Sequence, residues 1–178
     1  MACARELEAR ILAEGPETVL AFIMEPIGGL SSGAVVAPAS YYQEVRRICT
    51  RHGVLLIHDE IMSGAGRSGA FLSSAHWPGA TPDIVTAAKG LTSAQAPFGA
   101  VLVSERVAAP LYEEKASLLH GITFGGHPVA AAIALRNLEL FESERVLENV
   151  RELEPHLQSR LQELRELPIV GAVRGAGF

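Results

Sequence analysis

Val54-Leu55-Leu56-Ile57-His58, followed by Asp59-Glu60, is the stretch on which the fold turns. A run this short and this apolar, entered through a helix-closing Gly53 and left through two acids, predicts a strand in a sheet buried on both faces. A second such run, Asp83 to Ala87, leads into Ala88-Lys89-Gly90. Val19 to Met24 and Phe98 to Val103 read as further short strands.

Between these runs the pattern changes to helical spacing. Residues 2–14 place Leu7, Ile11 and Leu12 on one side, and Gly15-Pro16 stops the helix. Glu25-Pro26 ends the first strand, and Ile27 to Ala39 is a loop rich in Gly, Ser and Pro. Ser40 with Gln43 three residues later predicts a capping box. From there Tyr41, Val45, Ile48, Cys49 and His52 share a face. Ser63 to Gly69 is a glycine-containing loop, and Pro128 opens a helix that reaches at least Phe141. A second long helix covers about 143–166, with Pro155 inside it and leucines and valines at spacings that ordinary core packing explains. Pro168 to Val173 is a candidate strand. Strands alternating with helices predict an α/β fold with a mostly parallel sheet and flanking helices.

Composition narrows the function. Fifteen Lys and Arg against 20 Asp and Glu give a net charge of −5, which argues against a nucleic-acid surface. No apolar run is long enough for a membrane span, and residues 1–10 carry acids and no apolar secretory core. Cys3 and Cys49 stand far apart with no metal-ligand spacing, as expected of reduced thiols in a cytoplasmic protein. His58-Asp59-Glu60 does not read as a metal site either, because successive strand residues point to opposite faces.

In open parallel sheets, ligands bind beyond the carboxyl ends of the strands. Asp59 and Glu60 leave one predicted strand there and Lys89 leaves another, on the same side of the sheet. Adjacent strands lie about 4.8 Å apart. An acid and an amine so placed can grip opposite ends of a flat ring. Pyridoxal phosphate requires such a pair: an amine for its aldehyde carbon, and a carboxylate to keep its ring nitrogen protonated. On pattern alone, a solvated Asp-Glu turn and a surface lysine remain the alternatives.

Four ordered motifs take the reading further. They are Phe22-Ile23-Met24-Glu25-Pro26; Leu55-Leu56-Ile57-His58-Asp59-Glu60-Ile61 with Gly64-Ala65-Gly66-Arg67-Ser68-Gly69; Pro82-Asp83-Ile84-Val85-Thr86-Ala87-Ala88-Lys89-Gly90-Leu91 with Pro97-Phe98-Gly99-Ala100; and His120-Gly121-Ile122-Thr123-Phe124-Gly125-Gly126-His127-Pro128. In this order they resemble the class-III aminotransferases, pyridoxal-phosphate enzymes of fold type I, over essentially the whole chain.

The resemblance implies roles. Lys89 forms the Schiff base with pyridoxal 5'-phosphate and shuttles the substrate proton. Asp59 pairs with the pyridine nitrogen, and Ile61 packs against the ring. Thr123 donates its hydroxyl to the phosphate of a neighbouring subunit, which implies a homodimer. Glu25 lies near the site without an assigned role. The implied reaction moves an amino group between an amino acid or amine and a keto acid or aldehyde. Aminomutase or decarboxylase chemistry is the alternative within the family.

This chain departs from the family pattern at Ala65, where an aromatic residue is common. The family's Gly-Ser phosphate loop, its ring-stacking aromatic and its substrate-carboxylate arginine have no counterpart in 1–178. The resemblance therefore implies the middle of an enzyme: residues 1–142 as part of the large, cofactor-binding domain, and 143–178 as a linking helix and the start of the small domain. A catalytically incompetent fragment is the alternative that this incompleteness raises.

Overall fold

The computed structural model describes residues 2–113 and 117–178. Helix α1 (Ala2–Glu14) precedes strand β1 (Ala21–Met24). Helix α2 (Ala39–His52) leads to β2 (Leu55–Asp59), and β3 (Ile84–Ala87) and β4 (Ala100–Val103) follow. Helices α3 (Glu105–Glu113), α4 (Pro128–Ser143) and α5 (Val146–Glu163) complete the order. The strands form one sheet in the order β1-β2-β3-β4. The first three run parallel and β4 is antiparallel to β3. This is the mostly parallel α/β sheet that the alternation of patterns predicts.

Helices α1 and α2 cover one face. Ala4 and Ile11 of α1 and Val45, Ile48 and Cys49 of α2 bury against Val54 and Leu56. The opposite face is open. One cross-strand row there, Ile23, Ile57, Ile84 and Val103, is set by the register, and its ends are 57% and 47% exposed. The expectation of burial on both faces is thus met on one face only: an apolar strand needs cover on both sides, and the described helices supply one layer.

Several local expectations change for physical reasons. Helix α2 starts at Ala39 with Pro38 as its N-cap and no side-chain cap. Ser40 already lies inside the first turn, so the predicted capping box does not form, and Gln43 Nε2 instead donates to the Pro78 carbonyl at 3.0 Å. The buried tyrosine of α2 is Tyr42; Tyr41 is half-buried. The Tyr42 ring stacks on Trp77 with centroids 3.9 Å apart, and the Tyr42 hydroxyl donates to Pro26 O and accepts from the Ala37 N–H. Residues 168–173 form no strand, since no described strand offers them a ladder. Helix α5 runs through Pro155, and only Val150 of its apolar series is buried; Leu153 is 45% exposed. Helix α3 has no counterpart in the sequence reading. Pro110 inside it argues against a helix by rule, yet the Ser104 carbonyl accepts from Val107 and Ala108 N–H and starts it. Among the described residues, no helix is long and apolar enough to cross a membrane.

Asp83 joins these elements at the amino end of β3. Its Oδ2 accepts from the Leu56 N–H at 2.8 Å and from Arg46 Nη1 at 2.7 Å, and its Oδ1 faces Arg106 Nη1 at 3.3 Å. Its own N–H donates to Leu56 O, and its carbonyl accepts from Ser104 N–H. Burial would raise the pKa of this carboxyl, but the Leu56 N–H and the Arg46 guanidinium outweigh it and hold the group below the usual carboxylate range. The contribution of the carboxylate to stability is therefore present at neutral pH and lost as the pH falls below about 4. Asp83→Ala leaves Arg46 and a strand N–H without their partner. It should cost about 3 kcal/mol in urea unfolding at pH 7, and a variant within about 0.5 kcal/mol of wild type would refute the hub.

His58 is 1% exposed and neither ring nitrogen has a hydrogen-bond partner among the described residues. Burial lowers its pKa to about 4, with nearby Glu60 opposing and Arg46 reinforcing the shift. The unfolded chain binds the proton near 6.5 and the fold resists it. Stability from the neutral ring is thus complete above about pH 6.5 and lost toward pH 4. In His58→Leu, the urea midpoints at pH 7 and pH 4.5 should lie closer together than in the wild type.

Candidate active site at the carboxyl edge of the sheet

The β2–β3 register sets Asp59 opposite Thr86, and Glu60 N–H donates to Thr86 O at 2.9 Å just beyond. Asp59, which the structure makes the last residue of β2, and Lys89, two residues past β3, therefore emerge at the same edge. The Asp59 Oδ1 accepts from the Ile61 N–H at 3.1 Å, which turns the chain back so that Ile61 follows beside it. Among the described residues no cation pairs with Asp59.

Lys89 opens a tight turn, Lys89–Thr92, with φ at +44°. Ser93 and Ala94 are also left-handed, at +48° and +62°. Each such non-glycine residue costs of order 1–3 kcal/mol and persists only where its surroundings over-determine it. Next to Lys89, Gly90 approaches Ala65 so closely that an added Cβ would lie 2.7 Å from the Ala65 Cβ. The lysine side chain is exposed, and Nζ rests against Met62 Sδ. Lys89 and Ile61 line one cleft of about 500 Å³ together with Met62, Ala65, Gly28 and Gly29.

A feature that the sequence reading missed fastens the loop that supplies Ile61 to Ala65 to this cleft. Glu60, 1% exposed, turns away from solvent and caps the turn Ser73–His76. Its Oε2 accepts from Ser73 Oγ at 2.9 Å and from the Ser73 N–H, and its Oε1 accepts from the Ser74 N–H at 3.0 Å. Ser63 Oγ meets Ser73 Oγ at 2.9 Å. The loop 61–72 is thereby closed at both ends. Helices α4 and α5 pack on its far side: at Gly66, φ +83°, an added Cβ would meet Phe141 at 2.6 Å, and Arg151 Nη1 donates to Gly69 O at 2.8 Å.

Thr123 is placed elsewhere. It is exposed in the turn before α4 and is not among the residues that line the Lys89 cleft. The N-terminus of α4 is as expected, with Pro128 in its first turn and His127 Nδ1 accepting from the Ala130 N–H. Glu25, at the end of β1, accepts from the Gly29 N–H on the rim of the cleft. His58 and Asp59 point to opposite sheet faces, as alternation requires.

Comparison with known proteins assigns this arrangement to a family. The sequence model described as aminotransferase class-III matches residues 1–178, and the chain belongs to that family. It is 42% identical over 176 residues to a putrescine–pyruvate aminotransferase of Pseudomonas aeruginosa, covering 98% of this chain and 38% of that protein. It is 43% identical over 180 residues to a diaminobutyrate–2-oxoglutarate transaminase of Halomonas elongata, covering 99% and 38%. Among solved structures, a thermostable (S)-enantioselective omega-transaminase from Thermomicrobium roseum superposes with a TM-score of 0.91 at 44% identity, over 98% of this chain and 38% of that one. The chain thus spans less than two-fifths of the length of these relatives.

Glu60 can be tested separately from any chemistry. In Glu60→Ala, the Ser73 and Ser74 amides lose their acceptor. Their hydrogen exchange should accelerate at least about tenfold, the factor expected from losing charge-assisted bonds, while the β2 amides change little. Equal acceleration in both regions would mean that Glu60 supports the fold as a whole rather than the loop.

Proposed function

We propose that this chain supplies the lysine, the pyridine-binding carboxylate and part of the ring pocket of a pyridoxal-phosphate-dependent transaminase. The observation that carries the proposal is the shared edge: β2 and β3 run parallel, Asp59 ends one, Lys89 follows the other, and Ile61 and Lys89 line one cleft. These residues fit pyridoxal 5'-phosphate. Lys89 is exposed, lines the cleft and rests its Nζ against Met62 Sδ on the same wall, so its amine would be available to the cofactor's aldehyde carbon. The Asp59 carboxylate, without a competing cation among the described residues, would hold the proton on the pyridine nitrogen. Ile61 would press on one face of the ring. When bound, the cofactor would supply an electron sink for the carbon that loses its proton, and Lys89 Nζ would be the base that holds and moves that proton.

Thr123, exposed and not among the residues that line the Lys89 cleft of its own chain, fits a role toward the cofactor phosphate of a second copy, which makes a homodimer part of the proposal. An amino acid or amine would give up its amino group, and a keto acid or aldehyde would receive it. The relatives' names include both a diamine and an amino acid as donors, so they support the reaction class rather than one substrate. Residues 1–142 would belong to the cofactor-binding domain, with 143–178 leading into a second one. A cytoplasmic setting accords with two unpaired cysteines.

The sequence has two lysines, Lys89 and Lys115, so the test is clean. Adding pyridoxal phosphate to the purified chain should raise a visible absorption band that Lys89→Ala abolishes and Lys115→Ala keeps. A band that survives unchanged in Lys89→Ala would sink the assignment. The same band without amino-group transfer would favour a catalytically incompetent fragment.

A further inference from the structure

The turn that carries Lys89 holds three left-handed non-glycine residues within six positions, Lys89, Ser93 and Ala94. Its own backbone bonds, Leu91 N–H to Ala88 O, Ser93 N–H to Gly90 O and Ala94 N–H to Lys89 O, close it locally but do not anchor it to the rest of the molecule. The anchor is a side chain from α4. Asn137 is 8% exposed. Its Nδ2 donates to Gly90 O at 2.9 Å and to Leu91 O at 3.0 Å, and its Oδ1 accepts from Ser93 Oγ at 2.8 Å. Both its amide hydrogens and its carbonyl are thus committed to the four residues after Lys89.

The rest of the helix is built to allow this. The buried residues of α4 are Ala130, Ala134 and Asn137, one stripe at helical spacing whose two other members are small. Small side chains let the helix axis come close to the turn, and the amide then reaches its backbone. Asparagine is a poor residue for a helix interior and costly to bury without partners. Ordinary packing would put an apolar side chain at 137. The three bonds account for its presence there.

We propose that Asn137 is a positioning residue for Lys89: it locks the left-handed turn so that the lysine amine projects into the cleft. The proposal rests on Lys89 being the cofactor-binding lysine. It also makes α4 a rigid link between the Thr123 loop at its start and the Lys89 turn at its middle. A shift of that helix along its axis would then move both together.

The test uses the whole chain with pyridoxal phosphate as the probe. Borohydride reduces the C=N bond between cofactor and lysine to a stable amine, and peptide mapping then gives the labelling of Lys89 relative to Lys115. Wild type should label Lys89 preferentially. In Asn137→Ala the Lys89-to-Lys115 ratio should fall about fivefold or more, as expected when buried hydrogen bonds are lost, and the visible circular dichroism per bound cofactor should fall with it. Asn137→Asp keeps the acceptor for Ser93 but replaces both donors by a carboxylate facing two carbonyls, and should lose as much. Ser93→Ala removes one bond from an exposed position, cannot unfold the chain on that account, and should lower the ratio by a smaller factor. If Asn137→Ala does not fold, the Ser93→Ala ratio decides.

An unchanged ratio in a folded Asn137→Ala, or in Ser93→Ala where that variant decides, overturns the positioning role while leaving the cofactor assignment intact. A wild-type chain that labels both lysines alike overturns the cofactor assignment itself.

Discussion

Asp83 fixes how β3 lies beside β2, and the geometry of the site depends on that. A parallel pair can slip, and each one-residue slip turns every side chain to the opposite face. Here one carboxylate takes the Leu56 N–H on one oxygen while the same residue's backbone N–H bonds the Leu56 carbonyl. That double clamp at the amino end of β3 leaves one register, in which Asp59 stands opposite Thr86. Arg46 from α2 and Arg106 from α3 compensate the buried charge, so the clamp also ties the helical layer and the β4 side to the same point. The interaction lies at the far end of the strands from Lys89, which makes it a structural determinant of the site without being part of it.

At the carboxyl edge the structure spends polar side chains on backbone instead of on solvent. Glu60 closes the 61–72 loop by bonding Ser73 and Ser74, and Asn137 closes the 89–93 turn. Both are buried and both bond chain segments that would otherwise carry unsatisfied groups or strained dihedrals. Asp59 and Lys89 are left comparatively unencumbered between them. This division of labour explains why two adjacent acids in the sequence behave differently: alternation along the strand turns Glu60 inward to a loop and leaves Asp59 on the other face at the carboxyl end of β2.

Much of this was legible from sequence because it follows from periodicity. The apolar runs at 54–58 and 83–87 and the helices at 2–14 and 128–141 are local patterns, and their order alone implies that Asp59 and Lys89 share an edge. What escaped is non-local. Nothing near Asn137 signals that its partners are Gly90, Leu91 and Ser93, more than 40 residues away. The Glu60 contacts depend on a loop returning to it. Helix α3 was hidden by Pro110, and the 168–173 segment has the composition of a strand but no neighbour to pair with. The capping box at Ser40 failed because the N-cap falls two residues earlier, at Pro38, which leaves Ser40 inside the first turn.

The central claim is that the β2–β3 register sets Asp59 and Lys89 at opposite ends of one planar ring. The most direct measurement is the 15N resonance of pyridoxal phosphate labelled at its ring nitrogen and bound to the chain, followed as a function of pH. The account predicts a ring nitrogen that stays protonated to a higher pH than in the free cofactor, an effect lost in Asp59→Asn. A nitrogen that titrates like the free cofactor, in the same way in both proteins, would contradict it.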